Sequence, residues 1–178
     1  MCPRHLFIFL QSSIESERNR MNNDETYIHY GTDHFDKRFF NAVMNDVFPS
    51  VKPLHGGLWA SPIDSNCSWN DFCKSNEYKL DKLDKYFQFK LADGSKVMFI
   101  DSNYKLDKLV SEGFCKNNGF TTSRLINIGL YYLDFEKIAN FGYDAILVVI
   151  NYETYMSLYG WDCDTLLVLN PDCIIEVE

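Results

Sequence analysis

Apolar residues recur at every second position from Tyr86 to Leu91, placing Phe87, Phe89 and Leu91 on one side, and the alternation resumes from Lys96 to Ile100. A period of two marks a strand with one buried face. Asp93-Gly94 between the runs supplies the residues of a tight turn, so the pattern predicts a β-hairpin. The stretch Asp144 to Ile150 is apolar throughout after its first residue and suits a strand buried on both faces. Shorter strands are predicted at Tyr27–Tyr30, closed by Gly31, at Leu58–Ser61, stopped by Pro62, and at Thr165–Leu169 and Ile174–Val177 around an Asn170-Pro171-Asp172 turn. A helical period runs from His34 to Phe48, with Phe35, Phe39, Val43 and Val47 on one face and Pro49 and Pro53 as its end. Ser68–Lys74 reads as a short helix, Leu106, Leu109 and Val110 suggest another, and Leu133–Phe141 a third with Phe135, Ile138 and Ala139 inward and Gly142 as its stop. Strands and helices in no regular β-α-β order predict an α+β domain. Neither GxGxxG nor GxxxxGK[ST] occurs, which removes the main support for Rossmann and P-loop folds.

With 178 residues the chain has the length of one domain, expected over residues 25–178 and preceded by an N-terminal extension, residues 1–24. The apolar run Leu6-Phe7-Ile8-Phe9-Leu10 within that extension is too short to span a bilayer or to form a signal-peptide core. The expectation is a cytoplasmic protein with no membrane partner. A net charge of −8 argues against a standing role on DNA or RNA, which calls for a concentrated basic face. The 6 cysteines form no CxxC pair and no zinc-type spacing with the 4 histidines, so they are read as reduced and mostly buried, with no metal site.

Three segments place unusual residues where a strand meets a turn. In His29-Tyr30-Gly31-Thr32, a glycine after a strand lets the backbone approach a planar ligand, and the flanking polar groups can bond a sugar. In Gly56-Gly57-Leu58-Trp59-Ala60-Ser61-Pro62, the indole offers a stacking surface and Ser61 a hydroxyl for a carboxamide. In Trp161-Asp162-Cys163-Asp164, two acids precede an apolar strand, and strand alternation would turn both the same way. A carboxylate so placed would stabilise a sugar C1 that becomes cationic as its bond breaks. Each segment also has a bland use, as hairpin glycine, core tryptophan and solvated strand end.

In chain order these segments resemble the motifs of the ADP-ribosyltransferase superfamily: a strand ending His-Gly-Ser/Thr, a Gly-x-Tyr-Phe-Ala segment, and a late strand opened by an acid. Here Trp59 stands in the tyrosine's place, Tyr30 separates His29 from Gly31, and the acid is Asp164 where members carry glutamate. Asp162-x-Asp164 is similar to the acidic pair of arginine-modifying members, but their first-strand arginine is missing, and the likeness leans to the diphtheria-toxin and poly(ADP-ribose) polymerase branch. Thr121-Thr122-Ser123 is a faint echo of their Ser-Thr-Ser. The resemblance implies a split β-sandwich of two small antiparallel-rich sheets with flanking helices, holding NAD between them. It implies that Gly31 holds the nicotinamide carboxamide with help from Ser61, that Trp59 stacks on the ring, and that His29 or Tyr30 with Thr32 binds the adenosine-side ribose. Asp164 would be the catalytic acid, with Asp162 orienting the target. The implied reaction transfers ADP-ribose from NAD, without a metal, to a macromolecular acceptor, a protein rather than nucleic acid, in the manner of a bacterial or phage effector. The alternatives are a catalytically inactive member that binds a partner protein or nucleotide, and a cysteine hydrolase using Cys67 or Cys73 with His55, for which no orienting residue is evident.

Overall fold

The computed structural model describes residues 25–47, 50–116, 121–122 and 129–177. The expectations for residues 1–24, for a helix end at Phe48 and Pro49, and for Ser123 lie outside these residues. The strands are β1 (Thr26–Tyr30), β2 (Leu58–Pro62), β3 (Tyr86–Leu91), β4 (Val97–Ile100), β5 (Thr121–Thr122), β6 (Gly129–Leu130), β7 (Ala145–Val148), β8 (Thr165–Val168) and β9 (Ile174–Val177). The helices are α1 (Trp69–Ser75), α2 (Asn103–Ser111), α3 (Phe135–Asn140) and α4 (Tyr152–Ser157). The fold is α+β.

Seven strands form one hydrogen-bonded series in the order β4-β7-β8-β2-β1-β3-β9, while β5 and β6 pair separately. Within this series β4 and β7 run parallel, and the other five pairings are antiparallel. Alternate residues of the central strands enter two different cores. Met98, Ile100, Ile146, Val148 and Leu167 pack with Leu106, Leu109, Phe135 and Ile138 of the helices. Val97, Ala145, Leu147, Leu166 and Val168 pack with Tyr27, Phe87, Phe89 and Leu91 of β1 and β3. This is why β7 and β8 are buried at every position rather than at every second one.

The second core requires the sheet to double over. In a flat sheet β3 and β4 would stand five strand gaps apart, about 24 Å. The link between them is a tight turn with Ser95 N–H donating to the Ala92 carbonyl over 3.1 Å, and it cannot reach that far. The half-sheets β4-β7-β8-β2 and β1-β3-β9 therefore face each other, joined between β2 and β1. The predicted hairpin is corrected accordingly: its turn forms at Asp93-Gly94, but β3 pairs with β1 and β9, and β4 with β7. Asp144 makes this pairing by accepting the Lys96 N–H on its carboxylate (2.7 Å) and donating its own N–H to the Lys96 carbonyl (2.8 Å).

The helix expected from His34 to Phe48 is a single 3₁₀ turn, Lys37–Phe39, after which Phe40 returns to extended backbone. Its backbone groups find partners in a neighbouring segment instead: Met44 N–H to His55 O, Leu54 N–H to Met44 O, and Gly57 N–H to Asn41 O, at 2.8–2.9 Å. Val43 is buried and Phe35 packs on Phe87, but Phe39 and Val47 are 78% and 87% exposed, so the apparent apolar face does not exist. Helix α4, unpredicted, is announced by Asn151-x-x-Thr154, whose side chains bond each other's backbone N–H in a capping box. Predicted α1 has the same device in Ser68 and Asp71.

Candidate functional site

β1 and β2 pair only at Tyr27↔Pro62 and Ile28↔Ser61. Beyond these rungs β1 follows β3 as far as Tyr30, and β2 follows β8 as far as Leu58. The strands part, and a cleft of about 480 Å³ opens where they do. That volume is in the range of small-molecule sites. β1 contributes His29, Tyr30 and Gly31, β2 contributes Trp59 and Ser61, and the segment before β8 contributes Trp161 and Asp162. Residues from all three singled-out sequence segments thus line one cavity.

His29 Nδ1 bonds the Trp59 carbonyl at 2.7 Å across the gap. A carbonyl only accepts, so Nδ1 carries the hydrogen and neutral His29 keeps Nε2 as an acceptor. Burial holds its pKa below the usual value, and the Trp59 carbonyl pulls weakly the other way. An unfolded chain takes up a proton near pH ~6.5 that the folded chain resists, so the contribution of His29 is present above that pH and lost as pH falls through the lowered folded value. His29→Gln is expected to flatten the fall of the urea midpoint between neutral pH and about pH 5; parallel profiles for variant and parent would remove His29 as its source.

Tyr30 is held protonated by burial and by the nearby charge of Asp71. Gly31, at φ +115°, adopts backbone that side chains disfavour, and its N–H donates to Lys85 O at 2.8 Å. Its carbonyl is then the backbone group left to meet a ligand. Trp59 is half-buried against Trp161, with ring centroids 5.1 Å apart. Trp161 is buried, stacks on Phe135 and donates its indole N–H to Val51 O. Ser61 is also buried, and its hydroxyl oxygen accepts the N–H of Trp69, the first residue of α1. Thr32 is not part of the lining; its hydroxyl donates to His34 O.

The two acids separate. Asp162 lines the cleft, with a carboxylate oxygen 3.8 Å from Lys52 Nζ. Asp164 does not line it: its carboxylate accepts the Ile150 N–H and the Ser65 hydroxyl, each at 2.7 Å. The expectation that both share a face is corrected, because β8 begins at Thr165 and residues 162–164 lie outside strand geometry.

Lys52, Lys79, Lys82 and Trp69 also line the cleft, none of them singled out from sequence. Lys79 precedes the 3₁₀ turn Leu80–Lys82 in left-handed backbone, and Lys82 ends that turn. No sequence signal marked Lys52. Glu77 and Lys79 are the two non-glycine residues with positive φ among the described residues, and Lys79 is part of the lining. Cys163 lines the cleft too, but burial pushes its thiol up to about 11, and burial and Asp164 raise Cys67. These environments disfavour the thiolate a cysteine hydrolase needs. No disulfide joins the cysteines at 67, 73, 115, 163 and 173. Among the described residues, no group of three His, Cys, Asp or Glu is placed to hold a metal ion, and no helix is long and apolar enough to cross a membrane. No family model, curated protein or solved structure matches this chain.

Proposed function

We propose that the chain is an NAD-dependent mono-ADP-ribosyltransferase of the diphtheria-toxin and polymerase-like type, with Asp162 as its catalytic acid and a protein as its acceptor. The observation that carries this reading is the convergence of His29, Gly31, Trp59 and Asp162 on one cleft at the parting of β1 and β2. The doubled sheet supports a split-sandwich reading of the fold. The charges in the lining match the substrate: Lys79 and Lys82 suit its diphosphate, and Asp162 suits the pyridinium and the sugar cation that follows it. His29 Nε2 would accept a ribose hydroxyl, Trp59 would stack on the ring, and the Gly31 carbonyl would receive the carboxamide N–H. In this reading Asp164 holds the acid-bearing segment in place, which moves the catalytic role two residues from the position the motif suggested.

The test is release of nicotinamide from NAD by the purified chain, followed by chromatography. No release at high enzyme concentration would sink the activity. The commitment of Asp164 to two hydrogen bonds favours a second reading, a nucleotide-binding module without catalysis, and binding without release would select it. In either case Lys79→Ala with Lys82→Ala is expected to weaken ADP binding about tenfold, the order of one charge-assisted bond, and to leave nicotinamide binding unchanged. Calorimetry with both ligands checks this, and an equal loss for both would argue against a phosphate role.

A further inference from the structure

The wall formed by Trp59 and Asp162 already holds a cation. Lys52 Nζ stands 3.8 Å from an Asp162 carboxylate oxygen and 5.8 Å from the centre of the Trp59 ring, and all three residues line the cleft. An indole face attracts positive charge within about 6 Å, and a carboxylate beside it adds to the attraction. The backbone around Lys52 is fixed from two sides: the Val51 carbonyl accepts the Trp161 indole N–H at 2.9 Å, and the Lys52 N–H donates to Ser50 Oγ at 3.3 Å. The side chain is left to move. Its contact with Asp162 is longer than a hydrogen bond, and the two side chains are 42% and 30% exposed, so the pair is weak and exchanges partners readily. The other two lysines of the lining have different partners: Lys82 pairs with Asp81 at 3.5 Å, and Lys79 Nζ lies 5.0 Å from the centre of the Tyr78 ring.

We propose that Lys52 is a displaceable counter-ion that competes with cationic ligands for Trp59 and Asp162, and so sets how tightly this corner of the cleft holds a flat organic cation. That the cation is a pyridinium rests on the transferase reading above; the competition itself does not. A neutral ring can lie on Trp59 while the ammonium keeps Asp162. A cationic ring needs the same carboxylate, and it must either displace the ammonium or share the carboxylate with it against like-charge repulsion. Lys52 therefore weakens the binding of cations and leaves that of neutral rings alone, which makes it a specificity-determining residue of the cleft.

Calorimetry on the full chain compares 1-methylnicotinamide, a permanent cation, with nicotinamide, its neutral counterpart. Lys52→Met keeps most of the length of the side chain and removes its charge, while Lys52→Arg keeps the charge. The expected result is about fivefold tighter binding of 1-methylnicotinamide to Lys52→Met, the upper range for one exposed ion pair. Nicotinamide binding should not change, Lys52→Arg should stay close to the parent for both probes, and the gain should shrink at high salt. Unchanged or weaker binding of the cation to Lys52→Met overturns the competition. An equal gain for both probes also overturns it, because that marks a side chain that blocks space and not one that competes by charge. Binding of neither probe to any of the three proteins overturns it as well. Release of nicotinamide from NAD, measured on the same samples, judges the transferase reading separately. The fivefold gain without release leaves a cation subsite in a protein that is not a transferase, and release without the gain leaves the transferase and removes the competitor.

Discussion

Asp162→Asn is expected to slow nicotinamide release by about 10²–10³-fold, the usual cost of removing one group aimed at developing charge, while ADP binding holds. Asparagine keeps the size of the side chain and removes the negative charge that would face the sugar cation. Asp164 should behave oppositely. In Asp164→Asn the amide oxygen can still accept the Ile150 N–H, and the amide N–H can still donate to Ser65 Oγ, so release stays near the parent rate. In Asp164→Ala both donors lose their acceptor, and stability should fall by about 1–3 kcal/mol. Parallel measurements of release rate and urea midpoint separate the two acids. A collapse of activity in Asp164→Asn with Asp162→Asn active would return the catalytic role to Asp164.

Trp161→Ala should lower stability by about 3–5 kcal/mol, the range for emptying a large aromatic site. The indole is 1% exposed, stacks on Phe135 of α3 and supports Trp59 from behind. Its loss also leaves the Val51 carbonyl without the indole N–H. Trp161→Phe keeps most of the packing and removes that donor, so its smaller loss isolates the hydrogen bond. Urea unfolding followed by far-ultraviolet circular dichroism gives both values. A change under ~1 kcal/mol in Trp161→Ala, the range of tolerated surface substitutions, would show that this wall does not depend on the indole.

The period-two pattern at β3 and the apolar run at β7 were legible because one face of β3 and both faces of β7 enter a core, whereas β4, read as alternating, sends Met98 and Ile100 into one core and Val97 into the other. Partner choice was not legible. Asp93-Gly94 makes the same turn whether its strands pair with each other or diverge, and the difference rests on Asp144, 48 residues from its bond at Lys96. The stretch from Phe35 to Val47 misled because helical spacing is satisfied by scattered contacts, with Phe35 on Phe87 and Val43 in the helix-side core. At the site, His29, Trp59 and Asp162 were legible as odd residues at strand ends. Lys52 was not, since it sits in an irregular segment that neither periodicity nor motif marks. The division between Asp162 and Asp164 depends on where β8 begins, a boundary of one residue that alternation alone does not fix.

The two rungs between β1 and β2 join the half-sheets on that side, with the Ile63 N–H on the Thr26 carbonyl at one end and His29 on the Trp59 carbonyl at the other, while the Ala92–Lys96 turn ties β3 to β4 through the chain itself. The wrap is thus hemmed by covalent bonds along one border and by a short seam along the other. Widening the mouth means unzipping the seam, which begins at its open end with the bond from His29 to the Trp59 carbonyl and then reaches Ile28 and Ser61. A guest gripping both lips would act as a further stitch, so the dimensions of the mouth and the integrity of the sheet are governed by the same few bonds.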